Sequence, residues 1–234
     1  MLPDFSQRAD PSTLPELMDG PCSYEEFRAC LHDLAQVNIV TLAHRPTLAW
    51  LEQFADTGQP LRILDIGSGG GDMLRRIARW AALRKLDVQL TGIDLNPYST
   101  PAAQEFSRDF PAITYITGDV FSYMAPVDLA INSLMAHHLR DGELVALLGW
   151  MERTARRGWF INDLYRSERA YKLFSLVPEL MGWHRFIEHD GPVSIRRSFR
   201  EADWQHLCAA AGLDPAAVTL TKAFPSRLCV GRVR

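Results

Sequence analysis

No apolar run in this sequence reaches the roughly 18 to 20 residues that a bilayer-crossing helix needs, so no membrane span is expected. The opening residues, MLPDFSQRADPS, lack the apolar core of a secretory signal. Cysteine is scarce. The four present, Cys22, Cys30, Cys208 and Cys229, include no C-x-x-C pair, which speaks against a thiolate metal site and against a disulfide scaffold. Free thiols in a reducing compartment, and hence a cytoplasmic location, are the expectation. Basic excess is missing too. The net charge is -3, so the electrostatic footprint of a nucleic-acid binder is absent and no nucleic-acid partner is expected. Repeats and low-complexity tracts are not visible, and nothing marks an oligomeric state. What is there is ordinary globular composition, 47% hydrophobic and 23% charged over 234 residues, enough for one domain with a substantial core and an appended piece.

The stretch from Leu61 to Pro97 carries the most information. An apolar run ends at Asp65-Ile66-Gly67. A glycine-rich turn, Ser68-Gly69-Gly70-Gly71-Asp72, opens a helical pattern, and a second strand, Val88 to Ile93, ends at Asp94. Glycines there permit positive φ and close approach of a ligand to the backbone. Free N–H groups at the helix start face the same ligand. A carboxylate closing the second strand accepts both hydroxyls of a ribose. Two nucleoside ligands compete. A dinucleotide site wants G-x-G-x-x-G, but Gly67-x-Gly69-x-Gly71 places its third glycine one position early, and Asp72 would sit badly beside a pyrophosphate. Asp65 suits the cationic end of a ligand instead.

On these residues the stretch resembles the first two motifs of class I S-adenosylmethionine-dependent methyltransferases. The resemblance implies an α/β fold: a Rossmann-like, seven-stranded, mostly parallel sheet with a final antiparallel strand, helices on both faces and an N-terminal helical lid. It divides the chain into a lid over residues 1–57 and a core over 58–234, with a helical, substrate-side insert at about 165–197. Later segments keep the register. Ile113–Thr117 reads as a third strand leading into Gly118-Asp119-Val120, where the family's acid meets the adenine amino group. Val127–Asn132 is a buried fourth strand opening into Ser133-Leu134-Met135-Ala136-His137-His138, a loop in which many members carry a histidine. Cofactor contacts are therefore expected from Asp65, Gly67, Ser68, Gly69, Asp94, Leu95, Asn96, Asp119, Val120, Ser133 and Leu134, with S-adenosylmethionine as cofactor.

Local signals fill in the rest. Ser23 and Glu26 form a capping box for a helix to about Val37, and a second helix from Val40 to Ala55 is expected to break near Arg45 because of Pro46. Residues 1 to about 22 are expected on the surface. Asp141 should cap a helix ending before Gly158, followed by a fifth strand, Trp159–Asn162. Tyr165–Trp183 has an aromatic, helical pattern, Ser198–Glu201 resembles another capping box, and Val218–Phe224 and Leu228–Val233 read as an antiparallel pair.

Methyl transfer to a neutral oxygen needs alignment and loss of a proton. His137, His138 and His189 are the histidine candidates for that proton, with Asp163 and Asp190 as carboxylate alternatives; a histidine pKa near 6.5 suits the task. Asp163, Arg166 and Arg197 are candidate substrate contacts, although arginines here could equally pair with Asp163 and Asp190. Asn162-Asp163 raises a metal reading, but the remaining ligands of such sites are not visible, so no metal is expected. The segments Glu16-Leu17-Met18-Asp19, Asn162-Asp163-Leu164-x-Arg166 and His189-Asp190-Gly191-x-x-Ser194-x-Arg196-Arg197 together resemble a bacterial subgroup linked to polyketide, phenolic-lipid or quinone-like products. The implied partner is a small aromatic or polyketide-like acceptor, with O-methylation favoured over C-methylation. A nicotinamide oxidoreductase, or a related domain that binds the cofactor without turnover, are the rival readings.

Overall fold

A computed structural model describes residues 3–55, 58–175 and 182–234. Seven strands form one sheet in the order β3-β2-β1-β4-β5-β7-β6. They are β1 (Leu61–Ile66), β2 (Val88–Asp94), β3 (Ile113–Thr117), β4 (Val127–Ser133), β5 (Ala155–Leu164), β6 (Thr219–Ala223) and β7 (Arg227–Val233). The first five are parallel, and β7 runs antiparallel between β5 and β6. The described helices are α1 (Tyr24–Val40), α2 (Arg45–Leu51), α3 (Asp72–Arg84), α4 (Ser99–Phe106), α5 (Asp141–Thr154), α6 (Glu168–Phe174), α7 (Arg185–Arg197) and α8 (Glu201–Ala210).

Strand alternation explains the two layers of helices. Leu61 and Ile63 face one side with Trp50, Leu74, Ile77 and Trp80 from α2 and α3. Leu64 and Ile66 face the other with Leu144, Leu148, Trp204 and Leu207 from α5 and α8. The central strand β4 is buried along its first six residues, as a parallel strand covered on both faces must be. No helix among the described residues is long and apolar enough to cross a membrane.

Several boundaries differ from those the sequence suggested. The Ser23–Glu26 box forms, but α1 continues to Val40. The break near Arg45 is present: α1 ends at Val40 and α2 begins at Arg45 with Pro46 in its first turn, where no N–H is needed. α5 stops at Thr154, and Gly158 lies inside β5, not at a helix end. Its φ is 157°, and a Cβ would stand 2.4 Å from the Arg232 carbonyl oxygen, so strand pairing demands glycine. α8 is capped by Asp203, whose carboxylate accepts the Arg200 N–H at 2.6 Å, while the Ser198 hydroxyl donates to the Ile195 carbonyl. The first residues are not simply on the surface: Phe5 and Glu16 are buried, and the Ala9 N–H donates to Arg196 O. The helical pattern of Tyr165–Trp183 is met by α6; its residues Leu176, Val177, Leu180 and Met181 fall outside the described residues.

Candidate active site

The carboxyl ends of β1, β2, β4 and β5 open onto one cavity of about 1010 Å³, which α1, the N-terminal turn, α6 and α7 cover from the other side. That volume sits at the upper end of ordinary ligand pockets, room for a nucleoside and a second molecule.

At one end the glycine loop is held in shape by its own backbone. Gly67, Gly69 and Gly71 all have positive φ, and a Cβ at Gly71 would come within 2.2 Å of the Tyr115 hydroxyl. The Gly67 N–H donates to Ile93 O at 2.8 Å, so the loop is stitched to the end of β2. Asp94 completes the stitch: its two oxygens accept the N–H groups of Gly69 at 2.8 Å and Asn96 at 2.9 Å. Each oxygen keeps a second lone pair for a diol. Leu134 adopts φ 58°, with its N–H on Asn162 O at 3.0 Å, which turns the chain after β4 toward the same end.

The acids around this loop behave differently. Asp65 is buried with its Oδ1 unpartnered, and burial, followed by the charges of Asp72 and Asp94, pushes its carboxyl well above the usual range. Such a group calls for a cationic partner. Asp72 is half-buried, and the His44 imidazole at 2.8 Å and the Asn38 amide at 2.9 Å outweigh its desolvation and hold it below the usual carboxylate range. An ionised Asp72 on the cavity wall disfavours a pyrophosphate there. A sulfonium amino acid, carrying an ammonium toward Asp65 and a ribose toward Asp94, fits this donor set.

Further along the cavity, the three segments singled out in the sequence converge on the histidine pair. His137 is buried. Its Nδ1 lies 2.8 Å from Asp163 Oδ1, and its backbone N–H donates to Asp163 Oδ2 at 3.1 Å. His138 Nδ1 lies 2.9 Å from Asp19 Oδ1. Nε2 of His137 and of His138 each stand 3.6 Å from Glu16, on Oε1 and Oε2 respectively. Burial lowers the His138 pKa, but Glu16 and Asp19 outweigh it and raise the group above an ordinary histidine. Asp163 is held below the usual carboxylate range, its burial overcome by His137. Asp190 of α7 accepts the Leu17 and Met18 N–H groups at 2.7 and 3.0 Å, and the Ser194 hydroxyl donates to Glu16 Oε1 at 2.8 Å. α7 thus presents Glu16 to the imidazoles.

Of the expected site residues, Asp65, Gly67, Ser68, Gly69, Asp94, Leu95, Asn96, Ser133, Leu134, His137 and His138 line the cavity. The others stand elsewhere. Asp119 is exposed in a turn, accepting the Phe121 N–H at 2.9 Å, and Val120 packs into the core, so neither lines the wall. His189 is exposed and turns to Asp190 instead of the cavity, which leaves it without a place in the chemistry. Asp163 stands behind His137. Arg166 is buried against the carbonyls of Phe5 and Ser198 and the Asp203 carboxylate. Arg197 is buried on His137 O, Asp19 and Glu16. Both guanidiniums are therefore internal braces and not substrate contacts. Glu16, Asp19, Asn38 and His44 were missed as site residues. Only the acid pair in Glu16-Leu17-Met18-Asp19 hinted at them.

Residues 63–158 match the family model of a methyltransferase domain. That stretch, from β1 into β5, is a methyltransferase domain, and it carries the glycine loop, Asp94 and the histidine pair. No curated protein matches the chain in sequence. Among solved structures, the chain is similar to human N-acetylserotonin methyltransferase in complex with SAM (TM-score 0.61, 18% identity, 91% of this chain and 56% of that one). It is similar to magnesium protoporphyrin IX methyltransferase from Synechocystis PCC 6803 with bound SAH (0.55, 17%, 92% and 89%). A third is the CMeT domain of the citrinin polyketide synthase (0.58, 15%, 81% and 52%), so this chain spans about half the length of that one. At these identities the likeness is one of fold.

Proposed function

We propose that this protein is an S-adenosylmethionine-dependent methyltransferase that acts on an oxygen of a small aromatic or polyketide-like acceptor, and that the acceptor's hydroxyl meets Glu16, His137 and His138. When bound, the cofactor supplies an activated methyl on a sulfonium. The observation that carries the reading is the pair of imidazoles, each backed by a carboxylate and each turning Nε2 toward one buried glutamate on the cavity wall. A ring whose Nδ1–H is taken by a carboxylate presents a lone pair at Nε2. That lone pair draws the acceptor's proton away or stabilises what replaces it. Around the polar group, Leu34, Val37, Phe174, Phe186 and Ile187 give an apolar wall that suits a flat carbon skeleton. A ring carbon also has to lose a proton, so carbon is the weaker alternative on the same residues.

The N-terminal segment, residues 3–55 as described, serves as the lid. Glu16, Met18, Leu31, Leu34, Asn38 and His44 all come from it and line the cavity, so it closes over both ligands and excludes water. Acceptor screening with phenols, enols and quinols against wild type, His137→Ala and His138→Ala tests the reading. Turnover should fall about 100-fold or more in one or both variants, while affinity for S-adenosylhomocysteine stays within a few-fold. Full turnover in both variants would place the acceptor's proton elsewhere.

A further inference from the structure

We propose that Glu16, His137 and His138 form a binding site for a divalent transition-metal cation. The proposal rests on the reading of this wall as the acceptor side of the cavity, and it specifies how that wall handles an oxygen.

Three features of the geometry carry it. The first is the tautomer of each ring. Nδ1 of His137 faces Asp163 at 2.8 Å and Nδ1 of His138 faces Asp19 at 2.9 Å. A carboxylate behind Nδ1 takes the ring N–H and leaves Nε2 as a lone-pair donor, the arrangement in which metal-ligating imidazoles are commonly held. One such histidine is unremarkable. Two in adjacent positions, with both Nε2 atoms turned to one carboxylate, are less easily explained by packing.

The second is spacing. Each Nε2 lies 3.6 Å from its own oxygen of Glu16, too long for a hydrogen bond. Ligand atoms about 2.1 Å from a shared ion stand roughly 3.0 to 3.4 Å apart in octahedral or tetrahedral geometry. One ligand atom from each of the three side chains already lies within 4.8 Å of the others. Seating an ion therefore needs the widest pair to close by at most about 1.4 Å, a side-chain rotation of Glu16 and the two rings. Oε1 is fixed by the Ser194 hydroxyl and by Arg197 at 3.3 Å, while Oε2 accepts no hydrogen bond from the described residues. Oε2 is therefore the oxygen that would ligate.

The third is charge. Among the described residues, Glu16, Asp19 and Asp163 meet one guanidinium within ion-pair distance, that of Arg197. Arg8 pairs with Asp141, and it and the buried Arg227 act on Asp163 only at longer range. Three carboxylates, two of them buried, thus surround the two imidazoles, an acidic setting that suits a divalent cation. Two imidazoles and one carboxylate suit zinc, manganese, iron or cobalt better than magnesium or calcium. They leave further coordination positions toward the cavity. A phenolic or enolic oxygen bound there loses its proton to water more readily. Its electron pair then forms the new bond to the methyl carbon as the carbon–sulfur pair returns to sulfur. No electron is gained or lost by the metal.

The test uses tag-free, full-length enzyme stripped with a chelator. Titration with Co²⁺, followed by visible absorption, and with Zn²⁺ by calorimetry should give one equivalent bound, with cobalt d–d bands that report nitrogen ligation. Glu16→Gln and His138→Asn should each weaken binding at least tenfold. Asp19→Asn, which touches the ion only through His138, should weaken it about 10- to 100-fold. Affinity for S-adenosylhomocysteine, measured on the same samples, confirms that each variant is folded. Homocysteine product bound, but no stoichiometric Co²⁺ or Zn²⁺, would overturn this site and leave the methyltransferase reading standing, with protons on the imidazoles instead. Metal bound equally by wild type and Glu16→Gln would overturn it as well. Loss of the homocysteine product in wild type would count against the functional reading and not against the metal site.

Discussion

Asp65 shows how a single side chain trades stability for binding. It is buried at the end of β1 with Oδ1 unpartnered, and its pKa is raised well above 3.8. The unfolded chain ionises this group near 3.8, while the folded, ligand-free protein resists ionisation until higher pH. Stability is therefore lost as pH rises from about 4 toward the folded pKa. Asp65→Asn should remove that penalty. The ligand-free variant is expected to be more stable than wild type at pH 8, by about 1 to 3 kcal/mol, with a smaller gain at pH 4. Its affinity for S-adenosylhomocysteine should fall, because the amino group of that ligand loses its charged partner. Thermal melts at both pH values, with calorimetry alongside, decide this. A variant less stable than wild type at pH 8 would mean that Asp65 already has a partner.

At the scale of elements, β5 and α7 do most to assemble the site. β5 sends Asn162 back to the N-terminal segment, donating to Ala43 O at 2.7 Å, and Asp163 forward to His137. Its pairing with β7 depends on Gly158. Gly158→Ala should cost about 1 to 3 kcal/mol, read as a lower midpoint in denaturant, because the new Cβ meets the Arg232 carbonyl 2.4 Å away. α7 presents Glu16 through Asp190. Asp190→Ala frees the Leu17 and Met18 N–H groups, so turnover should drop while cofactor affinity holds; equal losses of both would show that the turn matters to the whole cavity. How far these elements could be read in advance follows from the range of their contacts. The unit from β1 to β2 was legible because its glycines, strand-end acids and helix start act within one short stretch. β5 was cut short because Gly158 looks like a helix stop until β7 is placed beside it. α7 falls within the helical insert expected at about 165–197, but its start at Arg185 was not legible, because the aromatic pattern was read only to Trp183. The structure uses Gly191 for Phe174 of α6, which a Cβ would approach to 2.2 Å. Arg166 and Arg197 looked like substrate ligands because sequence does not reveal which carbonyls surround a buried guanidinium.

Over the whole molecule, the sheet supplies one polar edge and residues 3–55 supply part of the opposite wall of the cavity. The N-terminal segment, expected as a lid, contributes more than shape: Glu16 and Asp19 complete the group around the histidines, and Asn38 and His44 keep Asp72 ionised. The cavity thus divides into a loop end built for a cationic nucleoside and a far wall built around one carboxylate and two imidazoles. Binding of that nucleoside at the loop end is expected to run through Asp94. Calorimetric titration of wild type and Asp94→Ala with S-adenosylhomocysteine, run beside NAD, tests it most directly. Micromolar binding of the homocysteine product to wild type, about 1.5 to 3 kcal/mol weaker in Asp94→Ala, with no heat from NAD, is the predicted result. Unchanged affinity in Asp94→Ala would remove the ribose assignment, and binding of NAD in place of the product would contradict the reading of the cavity as a whole.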